Sequence, residues 1–308
     1  MSRIVVFGGL NMDLIIEIPV PAGPGETRFG TRFYSTPGGK GGNQAVAAAR
    51  LLERPDSVQM VGRVGGDRFG EELIAALADA GVGTSAVAVD KAATSGVATI
   101  FIDERGENYV NAVYGANAEC GDEELARLDD LLADAAALLI QQELPVDTTN
   151  RAVEMARRRH VPVILDPAPT RDGLAVAHAG ATILTPNEHE ATDLTGVAIA
   201  DFDGARDAAR ALHAPGRAAI VTLGGLGIWI EAEGVSQRLA APTVEATATV
   251  GAGDAFAGGL AVGLSQGRPL LEAARLGVAT AALSVTREGA QTSMPSRSEV
   301  ETLLSTGW

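Results

Sequence analysis

The sequence is poor in cysteine, lysine and aromatic residues. Its 308 residues include a single cysteine, Cys120, so no internal disulfide can form, which fits a reducing compartment. Only two basic residues are lysines, Lys40 and Lys91, and 24 basic against 39 acidic residues give a formal net charge of −15. Nucleic-acid binding and attachment to anionic membranes depend on clustered basic residues, so this balance argues against both partners.

Long hydrophobic runs are also missing. The longest mostly apolar segments, 218–230, 256–264 and 276–285, are shorter than the roughly 18 residues that suggest a membrane-spanning helix. The N-terminal stretch 1–7 has neither the apolar length nor the small-residue cleavage pattern of a signal peptide. Because aromatic residues make up only 4 %, the core must consist mainly of aliphatic side chains. We therefore expect a soluble, cytoplasmic protein that binds neither nucleic acid nor membrane.

Short aliphatic runs alternate with alanine-rich segments along most of the chain. This alternation predicts an α/β fold, with a central, mostly parallel sheet flanked by helices in a Rossmann-like arrangement. The predicted strands are 4–7, 58–62, 137–141, 161–166, 182–185 and 218–222. The predicted helices are 43–52, 70–80, 122–134, 147–159, 188–195 and 203–213, and the chain after residue 252 is expected to be mainly helical.

Two segments, 14–36 and 94–113, break this alternation. Residues 97–102 are mainly β-branched or aromatic, and the turn at 103–106 leads into another such run, a pattern typical of antiparallel hairpins. We expect both segments to form a small accessory β-sheet. The remaining segments, 1–13, 37–93 and 114–308, would then form the α/β core.

The strongest local signal is a glycine turn, Gly251-Ala252-Gly253, followed by Asp254. From residue 246 to residue 267, Asp254 is the only ionisable side chain. The pattern predicts a helix that starts near Gly253 and ends near 265, whose free N–H groups and dipole would attract an anion. Asp254 would then either accept the proton of a hydroxyl that attacks a phosphoryl group or simply cap the helix.

A second glycine-rich run, residues 37–42, precedes an alanine-rich helix. Such a run lets the backbone approach a ligand closely, and Lys40 and Asn43 would donate hydrogen bonds to ligand hydroxyls. The alternative is a flexible loop with no ligand.

Polar residues also follow predicted strands. Asn11 and Asp13 come after the first strand, and Glu143 follows the strand 137–141. In parallel α/β sheets, ligands bind at the carboxyl ends of the strands, so these side chains are candidates for substrate binding. Any one of them taken singly would more simply be a solvated loop residue.

Two further strand ends carry polar or glycine-rich sequence. Asn187 and Glu190 follow the strand 182–185 and would either hold a hydrated Mg²⁺ or form a capping box at a helix start. Thr222 and Gly224 end another strand, where a glycine turn would admit a nucleotide phosphate or form a hairpin.

These motifs together resemble the ribokinase family of carbohydrate kinases over nearly the whole chain. Asn-x-Asp, Gly-Gly-Lys-Gly-x-Asn-Gln, Pro-Asn-Glu-x-Glu and Gly-Ala-Gly-Asp occur in the family's order. The segments 115–117, 142–143 and 289–291, with Ser293, are also similar. The resemblance implies the ATP-dependent phosphorylation of the primary hydroxyl of D-ribose to ribose 5-phosphate. The alternatives are a related kinase for another pentose, a ketohexose or a nucleoside and, more remotely, a non-catalytic sugar-binding protein.

The resemblance also implies roles for the site residues. The sugar would be held by Asn11, Asp13, Gly39, Lys40, Asn43 and Glu143. Asp254 would be the general base, and the backbone N–H groups of Gly251, Ala252 and Gly253 would form the anion hole. ATP and Mg²⁺ would be bound by Asn187, Glu190, Thr222 and Gly224, with Glu190 contacting the metal through water. The accessory sheet would close over the sugar as a lid and form the interface of a homodimer.

One position departs from the family's pattern. The family usually has an aspartate six residues before the catalytic aspartate, and this chain has Ala248 there. In ribokinase-like members that aspartate helps to bind an activating monovalent cation, K⁺. The resemblance therefore implies a weakened cation site, with Ser293 and backbone carbonyls as its remaining ligands.

Overall fold

The computed structural model describes residues 3–173 and 175–308. Its strands are β1 (Arg3–Phe7), β2 (Asn11–Glu17), β3 (Arg32–Gly38), β4 (Val58–Gly65), β5 (Gly83–Asp90), β6 (Gly96–Ile102), β7 (Asn108–Val113), β8 (Ala135–Ile140), β9 (Val163–Leu165), β10 (Ile183–Leu184), β11 (Ala218–Thr222), β12 (Gly227–Ala232) and β13 (Val235–Ala240). Its helices are α1 (Lys40–Leu52), α2 (Arg68–Asp79), α3 (Asp122–Leu132), α4 (Val146–Arg158), α5 (Ala175–Gly180), α6 (Glu188–Thr195), α7 (Phe202–Leu212), α8 (Ala252–Ser265), α9 (Leu270–Ser284) and α10 (Arg297–Ser305).

Nine strands form the main sheet in the order β13-β12-β11-β10-β9-β8-β1-β4-β5. The seven strands from β11 to β5 run parallel, and β12 and β13 add an antiparallel hairpin at one edge. The predicted α/β fold is therefore confirmed, and so is the helix-rich end of the chain. The turn after β11 leads into the hairpin, one of the two outcomes expected for its glycines.

Two buried layers cover the main sheet, as the aliphatic strands predicted. Along β1, Ile4 and Val6 contact the layer that contains α1, α8 and α9, whereas Val5 and Phe7 face the layer of α3, α4 and α7. Each fully buried aliphatic side chain contributes roughly 1.5–3 kcal/mol, so these layers dominate the stability. None of the described helices is both long and apolar enough to cross a membrane.

Helix α1 begins at Lys40, three residues before the predicted start at Asn43. The first glycine of the helix, Gly41, packs closely against another segment of backbone. A Cβ on Gly41 would lie 2.7 Å from the carbonyl carbon of Gly8. The alternative of a flexible loop is therefore wrong, and Lys40 and Asn43 both lie in the first turn of a rigid helix.

The small sheet has the strand order β3-β2-β6-β7. Its outer pairs are antiparallel, and β2 and β6 in the middle run parallel. Only residues 8–10 separate β1 from β2, and only Gly39 separates β3 from α1. The small sheet therefore adjoins the carboxyl ends of the main-sheet strands, where the polar residues singled out above lie.

Candidate active site

Asp254 lies in the first turn of α8, and its side chain is 5 % exposed. Its Oδ2 accepts a hydrogen bond from Asn43 Nδ2 at 2.9 Å, and its Oδ1 accepts one from Gln44 Nε2 at 3.1 Å. Both partners belong to α1. The N-cap of α8 is Gly251, with φ of 78° and no side-chain cap, so Asp254 does not cap the helix. Its carboxylate is oriented by another helix, an arrangement suited to accepting a proton.

Burial raises the pKa of Asp254, whereas Lys40 and the amides of Asn43 and Gln44 lower it. Since burial is the largest effect, the net pKa lies above the ordinary value for aspartate. A general base is most effective when its pKa approaches the working pH, so this shift favours catalysis. There is also room for a substrate beside Asp254, because an ideal Cβ on neighbouring Gly253 would meet open space.

Lys40 lies within a cluster of carboxylates. Its Nζ lies 3.8 Å from Asp166 Oδ2, and its backbone N–H donates to Glu143 Oε2 at 2.8 Å. Burial lowers the pKa of Lys40, but the nearby carboxylates of Asp166, Asp254, Glu143 and Glu190 raise it above the ordinary value overall. Lys40 is therefore fully protonated and acts as a cation and hydrogen-bond donor.

Asn11 and Asp13 begin β2 and are almost fully buried, at 2 % and 7 % exposure, so they are not solvated loop residues. Asn11 Nδ2 donates to Glu143 Oε1 at 3.4 Å, and Asn11 Oδ1 accepts from Asn117 Nδ2 at 2.9 Å. Asp13 packs against Gly38, where an ideal Cβ would lie 2.1 Å from Asp13 Oδ2. The glycine run thus leaves space for a buried carboxylate.

Three carboxyl groups of this cluster have strongly raised pKa values. Burial, together with the charges of Glu143 and Asp254, raises the pKa of Asp13 to about 7. Burial raises the pKa of Glu143 to about 7 and that of Asp166 to about 8, although Lys40 lowers both. Perturbed carboxyl groups gathered at the carboxyl ends of parallel strands are typical of a binding or catalytic site.

An apolar cavity of about 320 Å³ is lined by Gly253, which directly precedes Asp254. Thr222 and Gly224, at the end of β11, and Phe256 of α8 also line it. Gly224 has φ of 48°, and no atom lies within 4 Å of an ideal Cβ there, so the turn after β11 opens towards free space. The N-terminus of α8 therefore borders both a polar cluster and an apolar cavity.

Asn187 and Glu190 connect the two regions. They form the capping box of α6, in which Asn187 Oδ1 accepts from the Glu190 N–H and Glu190 Oε2 accepts from the Asn187 N–H, both at 2.9 Å. Asn187 also lies beside Thr222 in a parallel bridge. Burial raises the pKa of Glu190, and the nearby Asp254 raises it further, while Lys40 lowers it. Glu190 therefore caps α6 and also lies within the electrostatic influence of Asp254.

Ser293 and Ala248 both lie near the start of α8. Ser293 is fully buried and donates from Oγ to the Ala290 carbonyl at 2.8 Å, and an ideal Cβ on Gly251 would lie 3.3 Å from Ala290 Cα. The Ala248 N–H donates to the Val285 carbonyl at 3.1 Å. The structure thus brings both segments towards the glycine turn, with no carboxylate at position 248.

Four buried side chains of the site have roles that the sequence did not assign, namely Gln44, Asn117, Gln141 and Asp166. Asp166 directly follows β9, so the strand-end rule that found Glu143 would have found it as well. Gln141 directly follows β8 in the same way, whereas Gln44 lies inside α1, where that rule does not apply. Their function depends on partners about 100 or more positions away in the sequence.

Known proteins resemble this chain over almost its whole length. The model of the pfkB family of carbohydrate kinases matches residues 1–297. The chain is 37 % identical to ribokinase of Bacillus subtilis (99 % of this chain, 100 % of that protein) and 35 % identical to ribokinase of Haemophilus influenzae (97 % of each). It is also similar to the structure of Arabidopsis thaliana ribokinase complexed with ribose and ATP, with a TM-score of 0.88, 30 % identity and coverage of 98 % of each chain.

Proposed function

The chain belongs to the pfkB family of carbohydrate kinases and is a phosphotransferase that acts on a sugar hydroxyl, and we propose that its substrate is D-ribose. The products would be ribose 5-phosphate and ADP. The observation that carries the proposal is the position of Asp254 between the polar cluster around Lys40 and Glu143 and the apolar cavity. Relatives named ribokinase, matched over almost their full length, support the choice of ribose.

The polar cluster suits a small polyol. The sugar would be held by side chains and backbone of Asn11, Asp13, Gly39, Lys40, Asn43 and Glu143. Lys40 and the two asparagines donate hydrogen bonds, and the two carboxylates accept them from hydroxyl groups. Asn43 Oδ1 is buried without a hydrogen-bond partner, so a sugar hydroxyl would satisfy it. Burial of these groups supports recognition of hydroxyl groups by directed hydrogen bonds.

The apolar cavity suits the base of ATP. Its volume lies at the lower end of the usual range for ligand sites, about 300–1,000 Å³. Thr222, Gly224 and Asn187 would contact the nucleotide where the cavity meets the polar cluster. The phosphate chain would then extend to the N–H groups at residues 251–253, where the helix start and the open space beside Gly253 favour an anion.

Mg²⁺ fits the residues between the two regions. Bound with ATP, Mg²⁺ would neutralise part of the phosphate charge, which the surrounding carboxylates would otherwise repel. The described residues contain no group of three or more His, Cys, Asp or Glu side chains able to hold a metal, so water and phosphate would supply most of the ligands. Glu190 would act through water, and Asn187 would orient it through the capping box.

The chain's own contribution to the reaction is to activate the sugar and stabilise charge. Asp254 would take the proton of the primary hydroxyl as that oxygen attacks the γ-phosphorus in line, and ADP would leave. The N–H groups of Gly251, Ala252 and Gly253 would stabilise the charge on the transferring phosphoryl group. Asn43 and Gln44 would keep the carboxylate of Asp254 facing the hydroxyl.

Three further features belong to the proposal. A monovalent cation would bind near Ser293 and backbone carbonyls, in a site that lacks a carboxylate because of Ala248. The small sheet would close over the sugar as a lid and pair two copies of the chain as a homodimer. An apolar row of Phe33, Ile16, Phe101 and Tyr109, neighbours by strand register, crosses all four strands and supports such a contact. We expect the enzyme to act in the cytoplasm.

The test is ADP release from ATP in the presence of D-ribose, 2-deoxyribose, fructose and nucleosides, with ATP alone as the background. D-Ribose should give the highest kcat/KM. A higher value for another acceptor would replace ribose as the substrate. Sugar binding by calorimetry, with no ADP release under any metal or salt condition, would instead indicate a non-catalytic sugar-binding protein.

A further inference from the structure

Gln44 is a fully buried glutamine that lies between two buried carboxylates. Its Nε2 donates to Asp166 Oδ2 at 3.0 Å and to Asp254 Oδ1 at 3.1 Å. An amide oxygen only accepts hydrogen bonds, so the NH₂ end of Gln44 must face an ionised Asp254, and the same nitrogen donates to Asp166. Both of its hydrogens are then in use, one for each carboxylate.

The direction of this amide is secured by a second buried glutamine at the end of β8. With its NH₂ end towards the carboxylates, Gln44 turns its oxygen to Gln141, whose Nε2 donates to it at 2.6 Å. Gln141 Oε1 then points at Gly8, where an ideal Cβ would lie 1.9 Å away. Any side chain at position 8 would therefore displace Gln141. Asp254 therefore fixes the orientation of the Gln44 amide, and Gln44 fixes that of Gln141. The oxygen of Gln141 in turn faces the glycine turn after β1.

We propose that Gln44 is the positioning residue of the general base and that Gln141 fixes the orientation of Gln44. The inference rests on the proposed role of Asp254 as base. Asn43 holds one oxygen of Asp254 and Gln44 holds the other, so the two bonds together set the plane of the carboxylate. With Gln44 removed, the carboxylate would be free to turn about the remaining bond and would lose a hydrogen bond that favours its ionised form.

The pH dependence of the reaction separates this role from a purely structural one. A structural glutamine would affect stability alone, whereas a partner of the base must also change the pKa of the base. The charged groups that face Asp254 from the surrounding elements are Asp13, Lys40, Glu143, Asp166 and Glu190. All of them remain in a Gln44 variant. A shift of the acid limb of the pH–rate profile therefore reports the change at position 44.

The experiment measures kcat/KM for the sugar against pH at saturating ATP, together with the sugar Kd by calorimetry. Gln44→Glu is close to isosteric and replaces a donor by a like charge, so the acid limb should move up by about one pH unit or more. Turnover at neutral pH should fall by roughly 10- to 100-fold, part of the contribution of a general base, while the sugar Kd changes little. Gln44→Met removes the donor without adding charge and should shift the limb in the same direction by less.

The matched control is Gln59→Glu, which introduces the same change at a buried glutamine at the start of β4, the opposite end of the sheet. Gln59 Nε2 donates to the Asp56 carbonyl at 2.9 Å and faces none of the site carboxylates. This variant should lose stability but keep the wild-type acid limb. Gln141→Met should lower kcat by less than Gln44→Met, because Gln44 then loses only its orienting partner.

Acid limbs of both Gln44 variants that coincide with that of the wild type would overturn the inference. If Gln44→Glu does not fold, Gln44→Met alone decides the question, because it adds no buried charge. A wild-type protein that releases no ADP with ribose would contradict the proposed function instead. The two failures are therefore distinguishable within one set of measurements.

Discussion

The Nδ2 atom of Asn43 lies 2.9 Å from Oδ2 of Asp254, although 211 positions separate the two residues in the sequence. This contact joins the first turn of α1 to the first turn of α8. The two helices approach closely because α8 has a glycine at the crossing: a Cβ on Gly258 would lie 2.6 Å from Ala47 Cβ. The two glycine-rich motifs of the sequence therefore form a single site.

Asp254→Asn should abolish most of the turnover. An asparagine keeps the size of the side chain but cannot accept the hydroxyl proton, and loss of a general base costs about 10²- to 10⁴-fold in rate. Sugar affinity, measured by calorimetry, should largely survive. Asp193→Asn is the control, because Asp193 is an exposed aspartate of α6 that accepts a hydrogen bond from Thr170. Near-normal turnover in Asp254→Asn would refute the assigned mechanism.

Substitution by alanine should affect stability differently at the two glycines of the turn before Asp254. Gly253 has open space around its Cβ position, so Gly253→Ala should fold with unchanged or slightly higher stability, by roughly 0.5–1 kcal/mol. Its new methyl group would project into the phosphate region and raise the KM for ATP. Gly251 has φ of 78°, so Gly251→Ala should lower the free energy of unfolding by about 1 kcal/mol. Thermal unfolding and ATP kinetics on both variants check the contrast, and an unimpaired Gly253→Ala would contradict the anion hole.

The ligand-free protein should become less stable as the pH rises from 6.5 to 8.5. In the folded state Asp13 and Glu143 keep their protons up to a pKa of about 7 and Asp166 up to about 8, whereas unfolded carboxyl groups titrate near 4. The folded state therefore binds more protons than the unfolded state in this window, and the free energy of unfolding falls with increasing pH. Above the folded pKa values the curve should level off.

Asp166→Asn tests how much Asp166 contributes to the loss of stability with increasing pH. Removing the carboxyl group should raise Tm relative to the wild type, and this rise should be about 2–4 °C larger at pH 8.5 than at pH 6.5. Asp129→Asn is the control, because Arg159 lowers the pKa of Asp129 and that group is ionised throughout the window. Parallel Tm profiles for Asp166→Asn and the wild type would contradict the assigned pKa.

Potassium should have little effect on the rate. Ala248 supplies no carboxylate near the start of α8, so rates in KCl and in tetramethylammonium chloride should be equal at the same ionic strength. Ala248→Asp restores a negative ligand and should make the rate depend on K⁺. Strong activation of the wild type by K⁺ would mean that Ser293 and backbone carbonyls suffice as ligands.

The small sheet should carry the dimer contact. Phe33 is 67 % exposed on the edge strand β3 and begins the apolar row across the sheet. Phe33→Asp should convert a dimer to a monomer in sedimentation velocity. Val89→Asp, at a 53 % exposed position on the edge strand β5 of the main sheet, should leave the dimer intact. A wild-type monomer, or a dimer that persists in Phe33→Asp, would contradict the proposed interface.

Local pattern predicted the main elements well. The buried strands and alanine-rich helices of the α/β core are periodic signals, and six predicted strands correspond to β1, β4, β8, β9, β10 and β11. The predicted start of α1 is three residues late because glycine has a low helix propensity. Here Gly41 packs closely against the backbone of Gly8, and that contact is absent from any local window of sequence. The hairpin of β12 and β13 was one of two alternatives, because a glycine turn alone does not distinguish a hairpin from a phosphate-binding turn.

The amino-acid sequence alone specifies which chemical groups are present, their order, and where glycine permits a turn or a close approach. Those properties are local, since they depend on side-chain chemistry and backbone conformation. The folded chain, in contrast, brings Gln44 between Asp166 and Asp254 and places Gln141 beside it. It also sets the raised pKa values, because burial and Coulomb interactions depend on distances between residues remote in the chain.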